Sequence, residues 1–370
     1  MLELADVFRR HGAAYVERFG ARMLPSHRRA IRDIVDCRTE VLGGHLYQCD
    51  KCAQKQFAYH SCRNRHCPKC HGHDTEKWLI KRRAELLPVP YFHLVFTLPK
   101  ELHGAVRAHQ HKLYDALCKA AAQALMELAK DPRYVGGQIG LLCVLHTWTK
   151  AMAYHPHVHC LVPAGGLGTD GKTWMPARNN FLVPVRALSK LFRGRFIHLA
   201  REALPQLAIP ESVFKKDWVV FCKPALQGTE KVLKYLGRYV HRIAITNSRL
   251  LSMDDGNISF RHKDADCGWK TMTLPSDEFM RRYLQHVLPR GFHKVRFYGL
   301  WAVASRKKLQ HVREQFLTKP ENQQPQSILL PSKSDSSGST VPRPARVCPF
   351  CHAGKLLCIT HLARQKRAPP

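Results

Sequence analysis

The sequence predicts an α+β fold in which a largely antiparallel central sheet is flanked by helices and preceded by a zinc-ribbon-like module. Three observations support this prediction. Strand-like segments alternate with helical ones and are separated by hairpin turns. Cysteines come in closely spaced pairs near both ends of the chain. A stretch rich in Pro, Ser, Gln and Lys, without hydrophobic periodicity, precedes the last pair.

These observations divide the 370-residue chain into four segments. We expect an N-terminal helix and zinc-binding domain over residues 1–88 and an α+β domain over residues 89–318. A disordered linker over residues 319–346 and a short Cys/His-rich tail over residues 347–370 would follow.

Local patterns predict the individual elements. Residues 1 to about 35 predict an amphipathic helix. In the second domain, the strand segment YFHLVFTLP precedes an Ala- and Leu-rich helix over about 106–130, and two apolar strands follow, IGLLCVLHTW and HVHCLV. The sequences TDGK and DDGN predict hairpin turns. Helices over about 187–203 and 229–241 lie on either side of the strand DWVVFC.

The charge balance points to a polyanionic partner. Lys and Arg number 59 against 28 Asp and Glu, so the formal net charge is +31. A surplus of this size destabilises a compact fold unless a polyanion offsets it, which makes nucleic acid the leading candidate. A basic protein without such a partner is the alternative.

No targeting signal or membrane-spanning segment is predicted. The apolar runs fall short of the roughly 18 residues that a transmembrane helix needs, and the N-terminus lacks a signal-peptide pattern. The 14 cysteines are therefore expected in a reducing cytoplasm, where clustered cysteines bind metal more often than they form disulfides.

The N-terminal cysteine block predicts structural zinc. The pairs CDKC and CPKC form a C-x2-C…C-x2-C pattern, which predicts one tetrahedral Zn²⁺ site with the ligands Cys49, Cys52, Cys67 and Cys70. A second Cys2His2 site would use the interleaved residues Cys37, His45, Cys62 and His66. In the alternative reading, His66 contacts DNA or caps a turn.

The tail and the basic residues of the block give two further predictions. The tail offers a third set of zinc ligands, Cys348, Cys351, Cys358 and His361, with an isolated half-knuckle as the alternative.

Basic side chains between the N-terminal cysteines suit phosphate contacts, which supply affinity and register rather than sequence readout. The candidates are Arg63, Arg65 and Lys69.

The segment YHPHVHCLV predicts a second kind of metal site. Residues two apart on a strand share a face, so His157 and His159 present two imidazoles together. Neutral imidazoles bind divalent metals when a coordination position stays open. His155 and His146 are candidates for a third ligand. Ordinary polar packing is the alternative for an isolated H-x-H pair.

The segment KVLKYLGRYVHR predicts a nucleophile. Tyr235 and Tyr239 are four residues apart and hence neighbours on one helix face. If the two tyrosines only packed in the core, the positively charged residues around them would be unfavourable. Attack of a tyrosine hydroxyl on a DNA phosphate would explain these charges. Tyrosine has a pKa near 10 and needs activation by a metal, a base or cations. The cations beside the pair are Lys234, Arg238 and Arg242.

Four of these motifs, taken in order, resemble one known family. SCRNRHCPKC, FHLVFTLP, LHTWTKAMAYHPHVHCLVPAGG and YLGRYVHRIAI are together similar to the rolling-circle transposases of the insertion-sequence ninety-one (IS91) family. These are two-tyrosine members of the HUH endonuclease superfamily and are related to Helitrons.

The resemblance implies a zinc-binding domain followed by an HUH-endonuclease-like antiparallel-sheet catalytic domain. It implies Mg²⁺ or Mn²⁺ on His157 and His159, with Tyr235 and Tyr239 as nucleophiles that form a 5′-phosphotyrosine intermediate. It also implies single-stranded or hairpin DNA at element ends as substrate, host replication factors as partners, and a bacterial, nucleoid-associated location.

Two other functions remain open at this point. The chain would be a zinc-ribbon nucleic-acid-binding protein without catalysis if the histidines and tyrosines were structural. It would be a metal-dependent DNA hydrolase if the histidines activated water directly. The tyrosine pair distinguishes the transposase from both alternatives.

Overall fold

The computed structural model describes residues 1–70, 78–80, 82–83, 85–178, 180–224, 231–233, 237, 240, 243–264, 268–318 and 347–365. The chain forms two compact units. The central unit is built from Met1–Leu2 and His71–Asn322, and the terminal unit from Glu3–Cys70 and Gln323–Pro370. The terminal unit therefore joins the two ends of the chain.

The terminal unit consists of two helices and a three-stranded sheet. Helices α1 (Leu4–Phe19) and α2 (Pro25–Val35) precede strands β1 (Gly44–Cys49) and β2 (Lys55–Tyr59), and β13 (Leu356–Leu362) comes from the tail. The strand order is β13-β1-β2, with antiparallel pairing throughout. The tail, predicted as a separate segment, thus contributes a strand to the N-terminal module.

The predicted single helix over residues 1–35 is two helices. Leu24 is extended and Pro25 is the first residue of α2. A residue before proline is sterically disfavoured in the helical region, whereas proline itself fits the first helical position, so the chain must break here. At the start of α1, the backbone N–H of Glu3 donates to the Asp6 carboxylate at 2.9 Å and closes a capping box.

The central unit is organised around a five-stranded antiparallel sheet in the order β12-β4-β5-β3-β8. Its strands are β3 (Tyr91–Thr97), β4 (Gly140–Trp148), β5 (Tyr154–Pro163), β8 (Val220–Pro224) and β12 (Val295–Gly299). Two small sheets accompany it, formed by β6 (Gly165–Leu167) with β7 (Trp174–Pro176), and by β9 (Leu250–Asp254), β10 (Asn257–Lys263) and β11 (Trp269–Pro275).

The described helices of the central unit are α3 (His103–Ala108), α4 (Gln110–Ala129), α5 (Val185–Ala203), α6 (Ser212–Lys215), α7 (Ser276–Leu284) and α8 (Arg306–Thr318). Helices α4 and α5 pack against each other. The α+β class with antiparallel sheets is confirmed. Within the described residues, no helix combines the length and the apolarity needed to cross a membrane.

Both faces of the central sheet carry apolar clusters. On one face, Cys143, Val158 and Cys160 pack with residues of α4 and α5. On the other, Leu142, Val144 and Leu161 belong to a cluster that includes residues of α8. A strand covered on both sides needs no alternation of apolar and polar residues, which explains the continuous apolar run GLLCVL in β4.

The predicted linker over residues 319–346 lies outside the described residues. The predicted helix over 229–241 is described only at residues 231–233, 237 and 240, which are helical.

Candidate active site and zinc clusters

Three histidines on neighbouring strands form the candidate active site. β4 and β5 pair with His146 opposite His157 and Val144 opposite His159. Cross-strand partners share a face, as do residues two apart, so all three imidazoles lie on one side of the sheet. Each ring offers a ligand nitrogen within 4.8 Å of the others. Three imidazoles with open positions are the donor set of a catalytic metal centre, so these residues fit a divalent metal.

The hydrogen bond of His157 fixes which of its nitrogens can bind metal. Its Nδ1 lies 2.7 Å from the backbone oxygen of His155. A carbonyl oxygen only accepts, so Nδ1 must carry the proton and donate it. The Nε2 lone pair is then available to a metal.

His159 is oriented by a histidine that the sequence did not single out. His93 Nε2 lies 2.9 Å from His159 Nδ1, and the two rings stack with an interplanar angle of 11°. Burial lowers the pKa of His93 to about 4, so its ring is neutral near pH 7. The contact occupies Nδ1 of His159 and leaves its Nε2 for a metal. His93 lies on β3 beside β5, a neighbourhood set by strand order that local sequence does not reveal.

A buried histidine holds the hairpin between β4 and β5. His286 Nε2 lies 3.1 Å from the Met152 carbonyl oxygen, to which it must donate, and its Nδ1 lies 3.1 Å from the Thr147 hydroxyl. Burial lowers the pKa of His286 to about 3, so the ring stays neutral. Gln285 donates a further hydrogen bond to Met152 at 3.0 Å. These bonds fix the turn that sets His146 opposite His157.

The remaining predicted residues of this site, His155 and the tyrosine pair, are not part of the histidine group that the structure shows. His155 is half-buried and lies outside the group of converging nitrogens, so the structure brings His146 rather than His155 to His157 and His159. Tyr235 and Tyr239 lie outside the described residues, as do the basic candidates Lys234, Arg238 and Arg242.

Three described residues near the tyrosines in sequence pack on the histidine face of the sheet. Val232, Leu233 and Val240 are buried in the cluster that contains Val144 and Leu161. Val144 and Leu161 follow the same strand alternation as the three histidines.

A basic cavity lies along the continuation of the histidine row. It measures about 360 Å³ and is lined by His103, Gly104, Arg107, Ala153, Tyr154, Arg281, Arg282 and Gln285. The ring of His103 lies 5.8 Å from that of His155, which lies 5.2 Å from that of His157. One carboxylate, Glu278, pairs with Arg281 and Arg282, and Arg281 lowers the pKa of Glu278 to about 2. The cavity suits an anion such as a phosphate.

In the terminal unit, eight of the nine described cysteines form two four-thiol clusters. The first joins Cys37, Cys62, Cys67 and Cys70, with Sγ–Sγ distances of 3.5 Å from Cys70 to Cys37 and to Cys62. Tetrahedral zinc with Zn–S bonds of about 2.3 Å requires edges of about 3.8 Å, so the thiols fit the ion closely. The pKa of Cys70 is lowered by hydrogen bonding from Cys37, whereas that of Cys62 is raised by the same neighbour. Four thiols this close ionise together only around a cation.

The second cluster joins the two ends of the chain. Cys49 lies 3.7 Å from Cys351, and Cys52 lies 3.7 Å from Cys348, measured between Sγ atoms. Backbone N–H groups point at the sulfurs, including that of Gly354 toward Cys351 at 3.3 Å. Hydrogen bonds from the backbone of Ala353 and Gly354 lower the pKa of Cys351 to about 6. A Cβ at Gly354 would overlap Cys49 Sγ, so this approach needs glycine.

The structure divides the predicted ligand sets differently. Cys49 and Cys52 do not join Cys67 and Cys70, because β13 pairs with β1 and carries the tail knuckle to the end of that strand. The predicted Cys2His2 set is also divided, since Cys37 and Cys62 complete the cluster of Cys67 and Cys70. His66 lies in neither cluster. Its backbone N–H donates to the Asn64 side chain at 2.9 Å.

The remaining predicted ligands lie together elsewhere. His45, Cys358 and His361 form a separate group on β1 and β13. Among the predicted phosphate contacts, Arg63 and Arg65 are exposed. Lys69 is half-buried and forms an ion pair with Glu3, so it anchors the cysteine loop to the start of α1.

We expect Cys348→Ser combined with Cys351→Ser to release one zinc equivalent and to detach the tail. Structural zinc contributes about 10–16 kcal/mol in small domains, far more than the pairing of one strand. Zinc content and limited proteolysis of residues 347–365 would measure the effect. Cys222→Ser, at a half-buried cysteine outside both clusters, is the matched control. Unchanged zinc content in the double variant would contradict the shared cluster.

Two protein-family models match the chain. One, described as "Transposase zinc-binding domain", matches residues 7–98, and another, described as "Putative transposase", matches residues 140–309. The first covers both cysteine pairs of the N-terminal block, and the second covers the clustered histidines and the tyrosine pair.

Two curated proteins are similar over much of their length. "Putative transposase y4qJ" of Sinorhizobium fredii (strain NBRC 101917 / NGR234) is 41% identical over 96% of this chain and 94% of its own. "Transposase for insertion sequence element IS801" of Pseudomonas savastanoi pv. phaseolicola is 29% identical over 74% of this chain and 69% of its own. No solved structure matches the chain.

Proposed function

Since this chain belongs to the IS91 family of insertion-sequence transposases, we propose that it moves DNA by a rolling-circle route. In this proposal it cleaves single-stranded DNA at element ends and transfers the strand through a 5′-phosphotyrosine link. The observation that carries the proposal is the convergence of three imidazoles on the sheet face against which Val232, Leu233 and Val240 pack. A metal centre and a tyrosine segment would then share one face.

The three histidines would hold the metal through one nitrogen each. The Nδ1 contacts of His157 and His159 leave their Nε2 atoms for this purpose, and His146 supplies the third nitrogen. A bound Mg²⁺ or Mn²⁺ supplies polarisation of the scissile phosphate and offsets its developing charge. With three protein ligands, such an ion would remain accessible to DNA oxygens.

Tyr235 and Tyr239 are the proposed nucleophiles. The phenolic oxygen attacks phosphorus and gives up its proton, a P–O bond to tyrosine forms, and the bond to the 3′ oxygen breaks. The leaving oxygen takes a proton and becomes a free 3′-hydroxyl. The energy of the phosphodiester is retained in the covalent link, so strand transfer needs no nucleotide hydrolysis. Lys234, Arg238 and Arg242 would stabilise the phenolate and the phosphorane charge.

Basic groups in both units would hold the DNA backbone. In the central unit, three arginines line the cavity beside the histidine row. In the terminal unit, Arg63 and Arg65 are exposed on the cysteine loop. Such contacts release counterions, so binding should weaken steeply as salt increases. A zinc-binding protein without catalysis would show the same salt dependence, so catalysis needs a separate test.

The decisive experiment is mass spectrometry of the protein after incubation with single-stranded oligonucleotides that carry the element's own ends, in Mg²⁺ or Mn²⁺. Trypsin cleaves after Lys234, Arg238 and Arg242, so Tyr235 and Tyr239 fall in different peptides. We expect a 5′-linked oligonucleotide on one of these two peptides.

Two results would contradict the proposal in different ways. Metal-dependent cleavage that leaves free 5′-phosphates and no adduct would support the DNA hydrolase. Binding without cleavage on the element's own ends would support the nucleic-acid-binding protein.

A further inference from the structure

We infer that the terminal unit carries a third transition-metal site, formed by His45, Cys358 and His361 and separate from both four-cysteine clusters. The three side chains come from the paired strands β1 and β13. Each offers one ligand atom, and these atoms lie within 4.8 Å of one another.

A β-bulge brings the three side chains to one face. His45 pairs with His361 and Tyr47 pairs with Cys358, while the register shifts between Leu46 and Tyr47. Cys358 and His361 are three residues apart, so in a regular strand they would point to opposite faces. Ile359 is the extra, unpaired residue of the bulge in β13. It shifts the alternation by one residue, so that the Cys358 thiol lies on the same face as the two histidines.

The distances suit a small ion. Cys358 Sγ lies 3.8 Å from His45 Nδ1, and the rings of His45 and His361 are 4.7 Å apart between centroids. A tetrahedral site with bonds of about 2.0–2.3 Å has ligand separations of about 3.3–3.8 Å, so small side-chain movements would close the site. The ring of His60 lies 5.0 Å from that of His45 and is a further imidazole beside the open position.

The donor set identifies the class of ion. One thiolate and two imidazoles favour Zn²⁺ and similar borderline ions over Mg²⁺ or Ca²⁺, which prefer oxygen. His45 is half-buried, and Cys358 and His361 are exposed. Each four-cysteine cluster, in contrast, has two buried sulfurs. The third site should therefore exchange its ion faster than the clusters do.

The position of the site gives it a mechanical role. The cluster of Cys49, Cys52, Cys348 and Cys351 lies where β13 begins, and the third site includes His361 near the end of that strand. The ion would hold the second end of β13 on β1. Its loss would loosen the last residues of the strand while the cluster keeps the first ones paired.

Zinc counting on the full-length protein tests this inference. We expect Cys358→Ser with His361→Gln to contain one zinc equivalent less than the parent protein. In the parent, a chromophoric chelator should remove one equivalent in a fast phase, and the double variant should lack that phase. His45→Gln, on the other strand, should also lack it. Thr360→Ala, an exposed neighbour on β13, is the matched control and should keep both the zinc and the fast phase.

Two outcomes would overturn the inference. An unchanged zinc content and fast phase in the double variant would show that the three residues hold no ion. A parent protein with only two equivalents, of which the double variant loses one, would show that they support the neighbouring cluster rather than a site of their own. Because the readout is zinc and not DNA cleavage, neither outcome depends on the proposed transposition chemistry.

Discussion

Replacing Tyr235 and Tyr239 together by phenylalanine should abolish covalent attachment to single-stranded DNA. Phenylalanine keeps the ring and removes only the attacking oxygen, so the loss should reach about 10³-fold or more, as is typical when a nucleophile is removed. The measurement is the yield of protein–oligonucleotide adduct on a denaturing gel in Mg²⁺ or Mn²⁺. Each single variant reports which tyrosine acts first on a given end.

A matched control separates chemistry from folding. Tyr134→Phe changes a half-buried tyrosine that packs with the cluster on the opposite face of the sheet, and it should leave the adduct yield unchanged. If the Tyr235/Tyr239 double variant cleaves DNA as fast as the parent, water is the nucleophile and the tyrosine mechanism is wrong.

Replacing His157 and His159 by glutamine should remove metal-dependent cleavage while single-stranded DNA still binds. The metal contributes several kcal/mol to transition-state stabilisation, which corresponds to about 10³-fold in rate. Both side chains are half-buried, and glutamine retains a polar group of similar size, so the sheet should remain folded. Cleavage rate against Mn²⁺ concentration measures the loss, and oligonucleotide affinity confirms that the protein still binds.

Variants of two neighbouring histidines, His93 and His155, should have smaller effects than this double variant. His93→Phe removes the hydrogen-bond partner of His159 but no metal ligand, and it should weaken metal affinity about 10–100-fold with the maximal rate largely retained. His155→Gln should have little effect, because His157 uses the backbone oxygen of His155 and not its side chain. If His155→Gln is as damaging as His157→Gln, the third ligand is His155 and not His146.

The sequence predicts what depends on local order. The pairing of His157 with His159 on one face follows from strand alternation, and the antiparallel α+β class follows from the alternating elements. His93 could not be found this way, because its contact with His159 depends on β3 lying beside β5.

The zinc ligands were predicted as residue types but grouped wrongly, for a physical reason. All three C-x2-C half-sites have the same spacing, so spacing alone does not say which two combine. The pairing of β1 with β13 decides it, and these strands are separated by about 300 residues of chain. The face of the strand on which the Cys358 side chain lies likewise depends on a β-bulge, which is visible only in the pairing with the partner strand.

The cluster that joins Cys49 and Cys52 to Cys348 and Cys351 has a consequence for synthesis and for damaged gene copies. A chain that stops before Cys348 leaves β1 without its β13 neighbour and two thiols without their partners. During translation, the N-terminal module therefore stays incomplete until the whole central unit has been made. A 3′-truncated copy of the gene would yield a protein with an unfinished zinc module and an exposed strand edge, which is a typical site of aggregation.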